Sequence, residues 1–210
     1  MLIDDTYVVF DLETTGLNAN EGDSIIEIGA VKMHKGKIVD KFDLFVNPNK
    51  KLDDEIIKIT GITNEMLQDA IDEKEAIIKF TDFIGELPVV AHNAKFDMSF
   101  INMGYLKYDL GRFKNTVIDT LGLSRYLESN QRYHNLATLV IRYNIPWDED
   151  KHHRANYDAE GTALIFYKML EKLSLNNINT MDDLKQYRTI VLKYNNIKKW
   201  FHFFFYKVEV

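Results

Sequence analysis

The feature that most narrows the possible folds is a change of hydrophobic period part-way along the chain. Residues 7–11 (YVVFD), 24–33 (SIIEIGAVKM) and 38–47 (KIVDKFDLFV) are strand-length runs rich in β-branched and aromatic residues, the last two separated by the turn-like HKGK. Three such runs in quick succession predict an antiparallel meander. The spacing of apolar residues then becomes three to four: DDEIIKI, ITNEMLQDA and KEAIIKFTDFIGE each begin near a capping Asp or Thr and read as helices. Two more short runs, PVVAH at 88–92 and NTVID at 115–119, each open into a helical stretch, at 95–108 and at LGLSRYL. Helices at 134–144 and 157–173 close the pattern, and the proline-bearing IPWDEDKHHRAN between them reads as a loop. The predicted class is α/β: a mixed five-stranded sheet, three antiparallel strands followed by two in helical connections, flanked by helices.

A chain of 210 residues, 46% hydrophobic and 28% charged, suits one well-cored domain with a short appendage. It contains no run of about eighteen apolar residues and no secretory leader pattern, so the expectation is a cytoplasmic protein with no membrane contact. Cysteine is absent, which excludes disulfides and thiolate metal sites. Carboxylates, imidazoles and carbonyls remain as ligands, so any metal should be a hard one such as magnesium or manganese. The net charge of -6 argues against binding nucleic acid chiefly through a broad basic surface. The charge is uneven, however: from Lys185 to Val210 six Lys or Arg stand against one acidic residue.

Three places at breaks between elements carry carboxylates. Asp11 and Glu13, two apart in a strand, point to one face while Leu12 turns to the other. On its own a D-x-E is more often a solvated strand edge. Asp97 falls in the first turn of a helix after AHNAKF, and Asp158 opens the helix after HHRANY; each placement has a bland explanation in helix-terminus electrostatics. Breaks of this kind can converge on one sheet edge. Four negative charges brought together could not persist at neutral pH without protons or cations. Two divalent ions about 4 Å apart would neutralise them, and suit in-line phosphoryl displacement, with a nearby imidazole to accept a proton from water.

FDLETTGL, AHNAKFD and HRANYDA, in this order, resemble the three exonuclease motifs of the DEDDh 3′–5′ exonucleases, the DnaQ-like superfamily, and the likeness covers roughly residues 7 to 172. VVFDLETTGL, ITGIT with MLQDA, VAHNAKFDMSF, VIDTLGLSRYL and HHRANYDAEGTA are similar in particular to the proofreading exonuclease domain of PolC-type bacterial DNA polymerase III. The resemblance implies a ribonuclease H-like fold and two Mg2+ or Mn2+ ions. By it, Asp11 would bridge both ions, Glu13 and Asp158 would hold the ion that activates water, and Asp97 would serve the second. The family's H-x-A-x-x-D spacing selects His153, not His152, as general base. It further implies that Thr14, Thr15 and Gly16 touch the terminal nucleotide, that Leu17 packs on its base, and that Asn93 and Phe96 line the same pocket. Turn formation is the ordinary alternative for Thr14 to Gly16, and core packing for Leu17 and Phe96. His92 reads as structural, and His134 resembles a position that helps shape the site.

The likeness divides the chain into an exonuclease domain at 1–175 and a basic, aromatic-rich extension at 176–210. Eight of the chain's aromatic residues lie between Tyr187 and Tyr206, and WFHFFFY would be an exposed apolar patch unless covered. A docked helix, a partner surface, a strip that stacks single-stranded nucleic acid and a truncated longer gene all fit that ending. The expected function is a metal-dependent 3′–5′ exonuclease releasing nucleoside monophosphates from single-stranded DNA ends, proofreading for a replicative DNA polymerase. An exonuclease that trims RNA is the alternative within the family. A nucleic-acid-binding or scaffolding module without activity is the alternative outside it, although no metal ligand is missing.

Overall fold

The computed structural model describes residues 1–148 and 153–192. In chain order the elements are β1 (Thr6–Thr14), β2 (Ile25–His34), β3 (Lys37–Asn47), α1 (Asp54–Thr60), α2 (Asn64–Leu67), β4 (Ile71–Asp72), α3 (Glu73–Ile84), β5 (Val89–Ala91), α4 (Ala94–Lys107), β6 (Val117–Asp119), α5 (Thr120–Leu127), α6 (Leu136–Arg142), α7 (Ala155–Leu175), α8 (Met181–Lys185) and β7 (Val191–Leu192). The sheet runs β4-β3-β2-β1-β5-β6-β7. Its first three strands pair antiparallel, and β5 and β6 join in parallel through helical connections.

The five expected strands are therefore present in the expected order, but among the described residues the sheet has seven. The additions are two-residue edge strands: β4, parallel to β3, and β7, antiparallel to β6. Two residues cannot display an alternation, so their state is set by the neighbour they pair with. The last long helix begins at Ala155, two residues before the expected start, which makes Ala155 and Asn156 part of its first turn.

Strand β1 is the axis of the molecule, and its alternation defines two core layers. Tyr7 and Val9 face one side with Val31 and Met33 of β2, packed against Ala163, Phe166 and Leu170 of α7. Val8, Phe10 and Leu12 face the other, against Phe80 of α3 and Met98 and Ile101 of α4. Tyr7 meets Phe166 edge-on at 5.0 Å between ring centroids, a favoured aromatic geometry. Small side chains at Ala155, Ala159 and Ala163 let α7 lie close to the sheet, where all three are buried.

Residues beyond 175 continue on this body as far as residue 192. Ile178, Leu184, Ile190 and Val191 are buried in the α7-side core, and Thr180 caps α8 by accepting from the Asp183 amide at 3.1 Å. The expectations for the aromatic tail from residue 193 onward lie outside the described residues. Among the described residues, no helix is long and apolar enough to cross a membrane.

Candidate active site

The same alternation that builds the core aims the first carboxylates. With Tyr7 and Val9 on the α7 side of β1, Asp11 and Glu13 continue that face beyond the apolar layer. A bulge follows at once: Glu13 pairs with Glu27, but Thr14 pairs with Ile25, so the strand bends away just past the carboxylates. Asp158 lies in the first turn of α7 and is buried. Asp97 lies in the first turn of α4, on the opposite layer, and is 1% exposed. It approaches β1 over the strand end, where the Leu12 amide points at it.

The four carboxylates converge. Burial raises the Asp11 carboxyl well above its usual range, and Asp97, Glu13, Asp158 and Glu27 raise it further in that order. Glu13 is pushed up to about 9, by burial first and then by Asp158, Glu27 and Asp97, with Arg154 opposing. Burial likewise lifts Asp97 to about 8, although the amides of Asp97 and Leu12 temper the shift. Neither Asp97 oxygen completes a hydrogen bond in the protein. The two nearby amides stop short of bonding geometry; buried oxygens left so are costly, and two on one side chain suit a positive partner.

His153 closes the set. One ligand atom each from Glu13, His153 and Asp158 lie within 4.8 Å of one another. His153 is exposed and adopts a left-handed backbone, with φ of 66°. Carboxylate oxygens with one imidazole and no thiolate are the donors of a hard divalent cation, and the unpaired Asp97 oxygens fit the same requirement. His152 lies outside the described residues.

The residues expected to touch a nucleotide flank this cluster. Thr14 donates its hydroxyl to the Gly16 carbonyl at 2.6 Å, and the Thr15 hydroxyl accepts from the Ser24 amide at 3.0 Å, which folds the segment after β1 into a tight turn. Leu17 stands at its tip, 85% exposed, so core packing does not account for it. Asn93 lies at the β5–α4 break in the left-handed region, with φ of 63°. Phe96 is half-buried against Phe100, with centroids 5.2 Å apart. His92 shares a hydrogen bond with Thr120 Oγ1 at 2.9 Å, and burial lowers its pKa to about 4. His134 pairs with Ser124 Oγ at 3.1 Å.

Two acidic residues not singled out in the sequence support the site. Glu27 on β2 is fully buried and binds Arg154, the residue after His153. Asp119, at the end of β6, accepts from the amides of Asn93 at 3.0 Å, Ala94 at 3.3 Å and Leu121 at 3.0 Å. One carboxylate thus caps both α5 and the start of α4, which carries Asp97. A signal existed for the first: SIIEIGAV places a lone charge inside an otherwise apolar strand.

Comparison with known proteins points the same way. A family model described as an exonuclease, RNase_T, matches residues 8–166. A PolC-type DNA polymerase III from Staphylococcus epidermidis is 47% identical over 178 residues, covering 85% of this chain. The chain spans only 12% of that protein's length. Among solved structures, exonuclease X in complex with 5′ overhanging duplex DNA superposes with a TM-score of 0.64 at 26% identity, over 80% of this chain and 93% of the other. The nuclease domain of 3′hExo, a DEDDh family member bound to rAMP, shares the fold at a TM-score of 0.69 and 21% identity, over 80% of this chain and 92% of the other.

Proposed function

The chain belongs to the exonuclease family matched by that model, and from this premise we propose that it hydrolyses single-stranded DNA from the 3′ end, releasing nucleoside monophosphates, as a proofreading activity tied to a replicative polymerase. The observation that carries the reading is the convergence of Asp11, Glu13, Asp97 and Asp158 on one sheet edge, with His153 beside two of them. The likeness to a PolC-type DNA polymerase III supports DNA as substrate and a polymerase as partner.

Asp11, Glu13, Asp97 and Asp158 would hold two Mg2+ or Mn2+ ions, which supply charge neutralisation and Lewis acidity at the scissile phosphate. His153, exposed at the rim, would take the proton of the attacking water. The turn at Thr14, Thr15 and Gly16 offers backbone groups to the terminal nucleotide, and Leu17 offers an exposed apolar face to its base. Asn93 and Phe96 complete that pocket from α4. Acidic walls exclude a phosphodiester unless cations are bound, so binding should be modest and divalent-dependent. In this reading the exonuclease domain comprises residues 1–175, with 176–210 as an extension.

The test is a 5′-labelled single-stranded DNA oligonucleotide with magnesium or manganese, run beside an RNA of the same sequence. The expected result is stepwise shortening of the DNA by single nucleotides, lost in Asp11→Ala and His153→Ala. Activity retained in both variants would overturn the mechanism, and faster shortening of the RNA would overturn the assigned substrate.

A further inference from the structure

We propose that Glu27 and Arg154 are positioning residues for His153, acting as a clamp that fixes the backbone from which the imidazole projects. The inference rests on the assignment of His153 as general base and adds how that base is held.

Arg154 Nε donates to Glu27 Oε1 at 3.0 Å and Oε2 at 3.3 Å, and its Nη2 donates to Oε1 at 2.7 Å. The Ala155 amide donates to Glu27 Oε2 at 3.0 Å. One carboxylate therefore grips both the side chain of residue 154 and the backbone of residue 155. Its anchor is rigid: Glu27 is fully buried and sits in the ladder between β1 and β3. Arg154 also lies over the Phe45 ring at 5.1 Å, an interaction that further restricts the guanidinium.

His153 needs such an anchor for a local reason. Its positive φ is disfavoured for any residue with a Cβ, so the conformation persists only where neighbours impose it. Arg154 also stands at the N-cap of α7, where no side-chain cap forms. Glu27 supplies from another strand what Ser, Thr or Asp would supply locally. A planar, bidentate arginine pair fixes direction as well as distance, and directional error is what a general base tolerates least.

The experiment uses the full chain with magnesium and single-stranded DNA, comparing Arg154→Met, Arg154→Lys and Glu27→Gln alone and on a His153→Ala background. Glu27→Gln keeps the shape and an acceptor for the Ala155 amide, so it remains informative should Arg154→Met fail to fold. A misplaced base costs roughly 100-fold, so kcat should fall about 10- to 100-fold in Arg154→Met and Glu27→Gln. KM should stay within about twofold, and Arg154→Lys should retain an intermediate kcat. On the His153→Ala background the same substitutions should cost little more, because the group they position is gone. Ring 15N–1H signals of His153 in the metal-free protein should shift in Glu27→Gln. Equal kcat losses with and without His153, or wild-type kcat with unmoved ring signals, would overturn the clamp. Wild-type kcat in His153→Ala alone would instead overturn the base assignment, and the clamp with it.

Discussion

Glu13 and Glu27 are register partners on adjacent strands, facing each other across β1 and β2. Like charges placed opposite in a sheet repel, and the chain resolves the conflict by giving the two different company. Glu27 is neutralised by Arg154, while Glu13 is left with Asp158, Asp97 and Asp11 and answers by holding its proton. One of the pair is paired with a cation and the other is left among carboxylates.

The retained protons make stability depend on pH in an unusual direction. Glu13 rises from 4.5 to about 9 and Asp97 from 3.8 to about 8, so between those values the folded state binds protons that the unfolded state has released. Stability then falls as pH rises across that interval. The buried His92, lowered from 6.5 to about 4, opposes this slope only below 6.5. In chelator, Tm should therefore decline from pH 6.5 towards about 9, by roughly 2–4 °C for each kcal/mol of stability removed, and magnesium should flatten the decline. A level profile in chelator would show that the carboxylates do not share one volume.

Gly29 sets the depth at which α7 meets the sheet. A Cβ there would clash with the Asn156 nitrogen and the Ala155 carbonyl carbon, both backbone atoms that cannot rotate aside. Gly29→Ala should cost about 1–3 kcal/mol and displace the turn that carries Asp158. Thermal unfolding and the oligonucleotide assay would both register it; unchanged Tm and rate would mean that the helix shifts freely.

Leu17 offers the converse case. An apolar side chain at 85% exposure contributes little to folding, so Leu17→Ala should change stability by less than about 0.5 kcal/mol. If it packs on a base, KM for single-stranded DNA should rise, about tenfold for each 1.4 kcal/mol by which binding weakens. Steady-state kinetics decide: an unaltered KM would place Leu17 off the substrate path.

The paired histidines separate by substitution. His153→Ala should lower kcat by about 10²–10⁴-fold, the usual contribution of a general base, while His152→Ala should leave most activity. The reverse order would move the base by one residue.

The strand order and the carboxylates could be read from the sequence because each shows itself locally: β1 alternates through Tyr7, Val9, Asp11 and Glu13, and Asp97 and Asp158 follow recognisable breaks. The roles of Glu27 and Asp119 could not be read, although Glu27 showed as a lone charge in an apolar strand, since their meaning lies in partners far along the chain. Glu27 meets Arg154 across 127 residues, and Asp119 caps a helix that starts 25 residues before it. The left-handed conformation of His153 was equally hidden, because a histidine in a loop does not announce a positive φ. Leu17 was ambiguous for a different reason: an apolar residue after a strand reads alike whether it turns inward or outward.

The short strand Val191–Leu192 has a consequence for how the molecule behaves among its copies. It occupies the outer side of β6, where Leu192 pairs with Val117 and Val191 with Ile118, and the Asp119 amide donates to the Ile190 carbonyl at 2.7 Å. A sheet margin ending in bare apolar Val117 and Ile118 would be an invitation to intermolecular strand addition. Here two residues satisfy those valences internally. A chain shortened to Leu175 would still carry Asp11, Glu13, Asp97, Asp158 and His153, yet should be lost to aggregation.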